Sequence, residues 1–215
     1  MKTILVIGVG RFGKHLIKKL VDMDHQVMAV DTIERRVDDI LDYAESALIG
    51  DSTDKDFMMS LGIRDFDICY VTIGDNFENS MLTTYLLKEL GAKYVIARAS
   101  RDRQVDLLRR AGADDVVYPE KQVASWSAIR YSSDHLFDYF ELPGGYGVFE
   151  VEVLPKWIGK SIMELDIRKK YNITIIGVKH GEKLNMNILP NTILTKDMRM
   201  MVIGELTEIR KCFKI

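Results

Sequence analysis

Thr3-Ile-Leu-Val-Ile-Gly8-Val-Gly10-Arg-Phe-Gly13 is the segment that decides the fold. Its apolar run predicts a buried strand, and the apolar residues after the glycines recur at helical spacing. In a GxGxxG motif between a strand and a helix, Gly8 permits the tight turn, Gly10 lets a phosphate approach, and Gly13 allows close packing. The exposed N–H groups and the helix dipole favour an anion. The alternative interpretation is a tight strand–helix turn that binds no ligand.

Five further apolar runs alternate with amphipathic segments along the next hundred or so residues. These runs are predicted as strands over residues 26–31, 46–50, 67–72, 94–97 and 115–118. Strands that are continuously apolar and joined by helices imply a parallel sheet covered on both faces. Because such crossovers are right-handed, the sequence predicts a Rossmann-like, doubly wound α/β sheet of six strands.

The alternation ends at Pro119, and a different organisation follows. Residues 120–140 are predicted to form one crossover helix, with an aromatic face that we expect a partner subunit to cover. Residues 142–147, rich in glycine and proline, indicate a linker, which divides the chain into domains 1–142 and 143–215. Alternating strands and a capping box at Ser161 and Glu164 then predict a small α+β domain.

The composition argues against several classes of protein. Lys and Arg total 30 and Asp and Glu total 32, a formal net charge of -2, so non-specific nucleic-acid binding is not expected. We expect no secretory signal, and no apolar run approaches the ~20 residues of a membrane span. The two cysteines, Cys69 and Cys212, match neither a disulfide framework nor a metal pattern and suit a reducing cytoplasm.

Further residues around the motif point to a nucleotide. Asp31 ends the second strand about 20 residues after the motif, where a carboxylate binds ribose hydroxyls and repels a 2′-phosphate; alternatively it only caps a helix. Arg11 would give charge-assisted contacts to a terminal phosphate of ADP or ATP, or it is a solvated surface residue. Asp51 and Ser52 could reach the adenine side or cap the next helix. The loop 72–76 should line the same crevice.

The residues give no evidence of catalytic machinery. A dehydrogenase needs a proton-transfer group and a substrate pocket, and none of the 4 histidines falls where a nicotinamide ring would lie. The second domain is short for a substrate domain. Pairs of charges such as Arg35-Arg36 are interpreted as solvated helix faces. The residues therefore predict a nucleotide binder without evident chemistry.

A set of residues spread over the chain resembles the RCK (regulator of K⁺ conductance) family, with the cytosolic KtrA/TrkA-type subunits most similar. The set is Gly8-Val-Gly10-Arg11-Phe12-Gly13, Asp31, residues 50–53, Arg98 and Pro119-Glu-Lys121. The resemblance implies dimers that assemble into an octameric ring and dock on a membrane-embedded KtrB/TrkH-type potassium transporter subunit. It implies a non-enzymatic regulatory subunit, cytoplasmic and peripheral at the membrane, that is switched by ATP and ADP, with NAD(H) as a further ligand.

The resemblance also assigns roles to residues by position. Phosphate contacts would come from Gly8, Gly10, Arg11, Gly13 and the neighbouring Phe12. Asp31 would bind the ribose, and Asp51 and Ser52 the base. The phosphate end would be lined by Thr72, Gly74, Asn76 and Arg98.

Glu120 corresponds to an acidic residue near the γ-phosphate in this family. A carboxylate that faces a triphosphate requires a cation between them, such as Mg²⁺. The affinity of the site for ATP with its cation would then differ from its affinity for ADP, and a switch needs such a difference in affinity. The alternative role of Glu120 is to stabilise a helix dipole. Asp75 departs from the family pattern as an added negative charge near the phosphates.

In some KtrA-type members the C-terminal dimer interface is a receptor for cyclic di-AMP. The comparable positions here are Ile162, Ile167, Arg168, Ile175, Ile176 and Pro190. Apolar side chains would sandwich a base and Arg168 would meet a phosphate, or these residues are plain core and surface charge. Two other classes of function stay open, a small NAD-dependent oxidoreductase and a stand-alone sensing or scaffold protein.

Overall fold

The computed structural model describes residues 1–214. The chain divides into two compact units, Met1–Lys121 and the part from Gln122 onward. Each unit contains its own sheet and its own hydrophobic core. Among the described residues, no helix is long and apolar enough to cross a membrane.

The first unit is a parallel sheet with helices between its strands. The strands are β1 (Thr3–Ile7), β2 (Gln26–Asp31), β3 (Ser46–Ile49), β4 (Ile68–Val71), β5 (Val95–Arg98) and β6 (Asp115–Val117). The helices are α1 (Arg11–Asp22), α2 (Glu34–Asp38), α3 (Lys55–Ser60), α4 (Phe77–Glu89) and α5 (Asp102–Arg110). The order β3-β2-β1-β4-β5-β6 confirms the doubly wound sheet and makes the β1–β4 pair its topological switch point.

Strand β1 shows why the apolar runs of this unit are continuous. Leu5 and Ile7 pack into the core on one face of the sheet, whereas Ile4 and Val6 pack into a second core on the other face. Successive side chains of a strand point to opposite faces, so a strand covered on both sides needs apolar residues at every position. Cys69 of β4 belongs to the core that contains Leu5 and Ile7, and burial raises the pKa of its thiol to about 12.

The second unit is built on an antiparallel sheet of order β10-β9-β11-β8-β7. Its strands are β7 (Leu136–Leu142), β8 (Tyr146–Glu152), β9 (Ile173–His180), β10 (Lys183–Asn185) and β11 (Met198–Glu205). Its helices are α7 (Ile162–Leu165), α8 (Ile167–Tyr171) and α9 (Leu206–Phe213), and α6 (Pro119–Tyr131) spans the boundary between the units. The prediction of a small α+β domain is confirmed.

The prediction of one helix over residues 120–140 is wrong beyond Tyr131. Ser132 donates to the carbonyl of Ile129, and the Ser133 hydroxyl accepts from the backbone N–H of His135. Such local bonds between side chain and backbone compete with helix continuation. The chain then enters β7, where Tyr139 stacks on Phe149 of β8 with 5.6 Å between ring centroids.

The segment expected as a linker is instead the connection between β7 and β8. Pro143–Gly145 forms one turn of 3-10 helix, and Gly144 and Gly145 have φ of 79° and 80°. Positive φ is accessible to glycine at little cost, so the composition that indicated a linker serves a hairpin. Because the hairpin pairs β7 with β8, β7 belongs to the second sheet. The boundary between the two compact units therefore lies after Lys121, whereas the sequence predicted a boundary after residue 142.

The capping box at the start of α7 is confirmed. The Ser161 hydroxyl accepts from the backbone N–H of Glu164, and the Glu164 carboxylate accepts from the backbone N–H of Ser161 at 2.8 Å. The helix expected over 161–170 is interrupted at Asp166, where φ is 45°, and forms the two short helices α7 and α8.

We expect Ser161→Ala to lower the free energy of unfolding by about 1 kcal/mol, because an N-cap hydroxyl is lost. Chemical denaturation followed by circular dichroism measures this change. Ser125→Ala, at an exposed position of α6, is the matched control and should change the free energy by less than about 0.5 kcal/mol. Equal effects of the two substitutions would contradict a stabilising role for the capping box.

Candidate functional site

A cleft of about 870 Å³ lies in the first unit, at the carboxyl ends of its parallel strands. It contains 11 of the 13 residues predicted for a nucleotide: Gly8, Gly10, Arg11, Phe12, Asp31, Asp51, Ser52, Thr72, Gly74, Arg98 and Glu120. Gly13 is buried beneath the glycine loop. Asn76 accepts from the backbone N–H of Asn79 and caps α4, and Asn79 lines the cleft instead.

The three glycines of the motif differ in conformation and in the space around them, as their expected roles require. Gly8 has a φ of +98°, and a Cβ there would lie 2.9 Å from the backbone nitrogen of Ile73. A Cβ at Gly13 would lie 2.1 Å from the carbonyl oxygen of Gly8, so α1 and the turn pack without room for a side chain. Around Gly10, such a Cβ would meet no described atom within 4 Å apart from those of its chain neighbours, so a ligand has room to approach the loop.

Thr72, which directly follows β4, holds the glycine loop through its side-chain hydroxyl. Its hydroxyl lies 2.5 Å from the carbonyl oxygen of Gly8 and 3.0 Å from that of Ile7. These contacts hold the turn against the end of β4. Gly10, the N-cap of α1, makes no side-chain cap bond, and the first turn of α1 contains no acidic residue. The N-terminus of α1 is therefore suited to an anion.

Asp31 is buried and fixes the glycine loop to the end of β2. One carboxylate oxygen accepts from the backbone N–H of Val9 at 2.7 Å, and the other accepts from that of Ile33 at 2.9 Å. A carboxylate offers about four acceptor positions, so Asp31 can hold the loop and still accept from a ribose hydroxyl. The structural role of Asp31 thus leaves room for the binding role predicted for it, which stays a prediction.

In the segment between β3 and α3, the residue that caps the helix is neither Asp51 nor Ser52. Asp54 accepts from the first N–H groups of α3 and is its N-cap. The backbone N–H and the hydroxyl of Thr53 both bond Asp51 and hold the pKa of its carboxyl below its ordinary value. Ser52 is buried, and its hydroxyl lies 2.8 Å from that of Thr83. Of the two alternatives for Asp51 and Ser52, the capping role is wrong.

Arg98 lies at the opposite end of the cleft, where three residues surround its guanidinium. Gly74 leaves space for it, because a Cβ there would lie 2.3 Å from Nη1. The guanidinium carbon is 5.6 Å from the ring centroid of Phe12, and Nη2 pairs with Glu120. The backbone N–H of Glu120, and then Arg98, hold the pKa of the Glu120 carboxyl below its ordinary value.

Four cationic side chains line the cleft, and three of them have carboxylate partners. The ion pairs are Lys14–Asp39 at 3.0 Å, Arg36–Asp31 at 3.5 Å, Arg36–Asp75 at 3.4 Å, and Arg98–Glu120. Within residues 1–214, Arg11 makes no salt bridge. Since it lies at the N-terminus of α1, its charge is available to a phosphate.

Arg36 is the main residue that the sequence analysis missed. It was interpreted as part of a solvated helix face, but it lines the cleft and contacts two carboxylates. The helical pattern identified Val37 as the inward residue of α2 and carried no information about its neighbour. Position was the available signal, because Arg36 follows shortly after Asp31 and the β2–α2 connection borders the crevice.

The side chains of the cleft that can transfer protons are carboxylates and one lysine. Among its described lining residues there is no histidine, cysteine or tyrosine. Nor do the described residues contain a group of three or more His, Cys, Asp and Glu that could hold a metal ion. A cation at Glu120 would therefore depend on oxygen atoms supplied by a ligand.

A second, smaller cleft of about 350 Å³ lies in the second unit. It is lined by five of the six residues suggested for cyclic di-AMP: Ile162, Ile167, Arg168, Ile175 and Pro190. Ile176 does not line it; the pairing of β9 with β11 is irregular at this residue, which the register skips between Ile175 and Gly177. Residues close to Arg168 that the sequence analysis did not single out complete the wall, among them Met163, Ile188 and Leu189.

Two protein-family models match the chain. The TrkA-N domain matches residues 4–119, which cover the cleft of the first unit almost completely. The TrkA-C domain matches residues 148–215. The order of the two domains is the order that the resemblance to RCK proteins implied.

Two known proteins are similar over nearly the whole length. Ktr system potassium uptake protein C of Bacillus subtilis (strain 168) is 36% identical over 210 residues, which are 98% of this chain and 95% of the relative. Ktr system potassium uptake protein A of the same organism is 34% identical over 210 residues, with the same two coverages of 98% and 95%.

A solved structure described as the GsuK channel bound to NAD aligns with a TM-score of 0.69. The alignment covers 96% of this chain and 38% of that one at 22% sequence identity, so it shows the fold alone. The fold, the two domain models and the full-length relatives agree with one another. The chain therefore belongs to the RCK family, with a TrkA-N domain followed by a TrkA-C domain.

Proposed function

We propose that this protein is a non-enzymatic, nucleotide-gated regulatory subunit of a membrane potassium transporter. One observation carries the nucleotide part of the proposal. Arg11 lies unpaired, within the described residues, at the N-terminus of α1 in a cleft whose other cations are neutralised. The potassium part is supported by the similarity to two Ktr potassium uptake proteins over 98% of the chain.

ATP and ADP are the ligands that this arrangement favours. The glycine loop would hold the first phosphates, Asp31 the ribose, and Asp51 the base, while Arg11 would meet a terminal phosphate. Arg98 and Glu120 lie further along the cleft, where a γ-phosphate and a cation such as Mg²⁺ would separate ATP from ADP. NAD(H) fits the same glycine loop and ribose carboxylate, so it is kept as a further ligand.

An NAD-dependent oxidoreductase is the alternative. Hydride transfer coupled to a proton needs an acid or base near the nicotinamide. The described lining residues that could serve are carboxylates and Lys14, and Lys14 is paired with Asp39. A stand-alone sensing protein would keep the nucleotide site without a transporter. Measurement of ligand preference separates the oxidoreductase from the regulator, and potassium flux with a transporter present separates the regulator from the sensor.

Helix α6 supports self-association. Val123 and Tyr131 are 60% and 74% exposed, and none of the residues of this helix is buried in the single chain. An apolar helix face without a partner is stabilised when a second copy covers it. We propose a dimer that assembles into an octameric ring. The ring would dock on a membrane-embedded KtrB/TrkH-type subunit. The protein itself would be cytoplasmic and would meet the membrane only through that partner.

Isothermal titration with ATP, ADP and NADH, with and without Mg²⁺, tests the proposal. We expect both ATP and ADP to bind. Arg11→Ala should lower the affinity for ATP about tenfold, because a charge-assisted contact to phosphate is lost. The affinity for adenosine, which has no phosphate, should change less than about twofold. Lys14→Gln removes the same charge from the same cleft, but from a side chain that is already paired, and should weaken ATP less.

Two outcomes would count against these assignments. Tight binding of NADH with negligible binding of ATP would favour the oxidoreductase over the regulator. Equal losses for ATP and adenosine in Arg11→Ala would show that Arg11 does not act on phosphate. The fold of each variant is checked by circular dichroism before titration.

We expect Glu120→Gln to remove the dependence of ATP binding on Mg²⁺ and to change ADP binding less than about twofold, since only the γ-phosphate brings a cation to this carboxylate. The pKa of Glu120 is held below its ordinary value, so the carboxylate is ionised at pH 5 and the Mg²⁺ effect should persist there. Titrations at pH 5 and pH 7 measure this. An Mg²⁺ effect that survives the substitution would place the cation elsewhere.

The smaller cleft supports cyclic di-AMP as a second ligand. Apolar side chains of Ile162, Ile167 and Ile175 would contact a base, and Arg168 would meet a phosphate. We expect Arg168→Ala to lower the affinity for cyclic di-AMP about tenfold, which titration measures. Lys169→Ala, at the adjacent exposed position that does not line the cleft, is the matched control, and an equal loss there would argue for non-specific attraction.

A further inference from the structure

Arg36 joins two parts of the nucleotide cleft through its guanidinium. Nη1 lies 3.5 Å from Oδ2 of Asp31 at the end of β2, and Nη2 lies 3.4 Å from Oδ2 of Asp75 in the loop after β4. All three residues line the cleft. Both distances are long for charge-assisted hydrogen bonds, so the guanidinium is held by two partners without a tight bond to either.

The charges of this cluster affect which substituent the cleft accepts at the 2′ position of the ribose. Asp31 and Asp75 contribute two negative charges and Arg36 one positive charge, so the cluster has a net charge of -1 if all three are ionised. A phosphate monoester adds about -1.5 to -2 at neutral pH. A 2′-phosphate next to Asp31 would meet net repulsion, and the guanidinium that could bind it is occupied by Asp75.

We propose that Asp75 is a specificity-determining residue that, by holding Arg36, makes the cleft select nucleotides with a free 2′-hydroxyl over those with a 2′-phosphate. This inference rests on the proposed nucleotide function. It assigns a role to the residue at which the sequence departs from the family pattern. Asp75 acts at the ribose through Arg36, rather than as an added charge at the phosphates.

Asp75 can be changed without disturbing the glycine loop. Its side chain is 87% exposed, and Arg36 is its hydrogen-bond partner. The Asp31 side chain is 4% exposed and bonds the backbone of Val9 and Ile33. Substitution of Asp31 would therefore disrupt the site itself, whereas Asp75→Asn removes one charge and frees one edge of the guanidinium.

The test compares AMP with adenosine 2′,5′-bisphosphate, which differ only in the 2′-phosphate, and NAD⁺ with NADP⁺ as a second matched pair. We expect the wild-type protein to prefer the unphosphorylated member of each pair. In Asp75→Asn, the affinity for the 2′-phosphorylated member should rise about tenfold relative to its pair, because Arg36 gains an anionic partner. The further change Arg36→Gln should abolish that gain.

Asp39→Asn is the matched control. Asp39 lines the same cleft and pairs with Lys14, so this variant loses the same charge while Arg36 stays bound to Asp75. The expected change in preference is less than about twofold, since long-range effects of exposed charges are screened. Thermal unfolding verifies that each variant is folded.

The outcomes separate this inference from the proposed function. An unchanged preference in Asp75→Asn, or an equal gain in Asp39→Asn, overturns the role of Asp75 and leaves the nucleotide site intact, provided that ATP or ADP still binds. If the wild-type protein binds none of the nucleotides, both the proposed function and this inference are refuted. A gain confined to Asp75→Asn that needs Arg36 supports the inference.

Discussion

The close approach between the glycine turn and the end of β4 is the constraint on which the first unit depends. Gly13 packs where a Cβ would lie 2.1 Å from the carbonyl oxygen of Gly8 and 2.8 Å from the Thr72 hydroxyl, and that hydroxyl bonds the Gly8 carbonyl. Because β1 and β4 are neighbours at the topological switch point, this contact places the turn at the crevice. The uncapped N-terminus of α1, which follows the turn, therefore borders the crevice.

The charges in the cleft bear on the anion binding that the proposed function requires. Within the described lining residues, carboxylates outnumber cations, so an unpaired arrangement would repel phosphate. Lys14, Arg36 and Arg98 each pair with a carboxylate and offset most of this negative charge, whereas Arg11 beside the helix N-terminus makes no salt bridge within the described residues. In the proposed function, the selectivity for an anion would therefore depend on which cation is unpaired more than on the net charge of the cleft.

The sequence predicted the features that local chemistry determines. Apolar runs located the six strands of the first unit, and the glycine motif identified the turn, because each signal is contained in a short segment. The end of the helix predicted over 120–140 was wrong beyond Tyr131, because the aromatic spacing there fits a strand as well and the pairing of β7 with β8 decided between the two. Arg36 was missed for a related reason, since its partner Asp75 is 39 residues away.

The Arg98–Glu120 pair indicates how a bound nucleotide could affect more than its own site. Glu120 is in the first turn of α6, and α6 continues past Lys121, where the first unit ends. In the proposed function, a γ-phosphate competes with Glu120 for Arg98, and a cation then takes the place of the guanidinium beside the carboxylate. A ligand shifts an equilibrium only by its different affinity for the two states. The exchange of partners at Glu120 supplies such a difference at the start of the helix that enters the second unit.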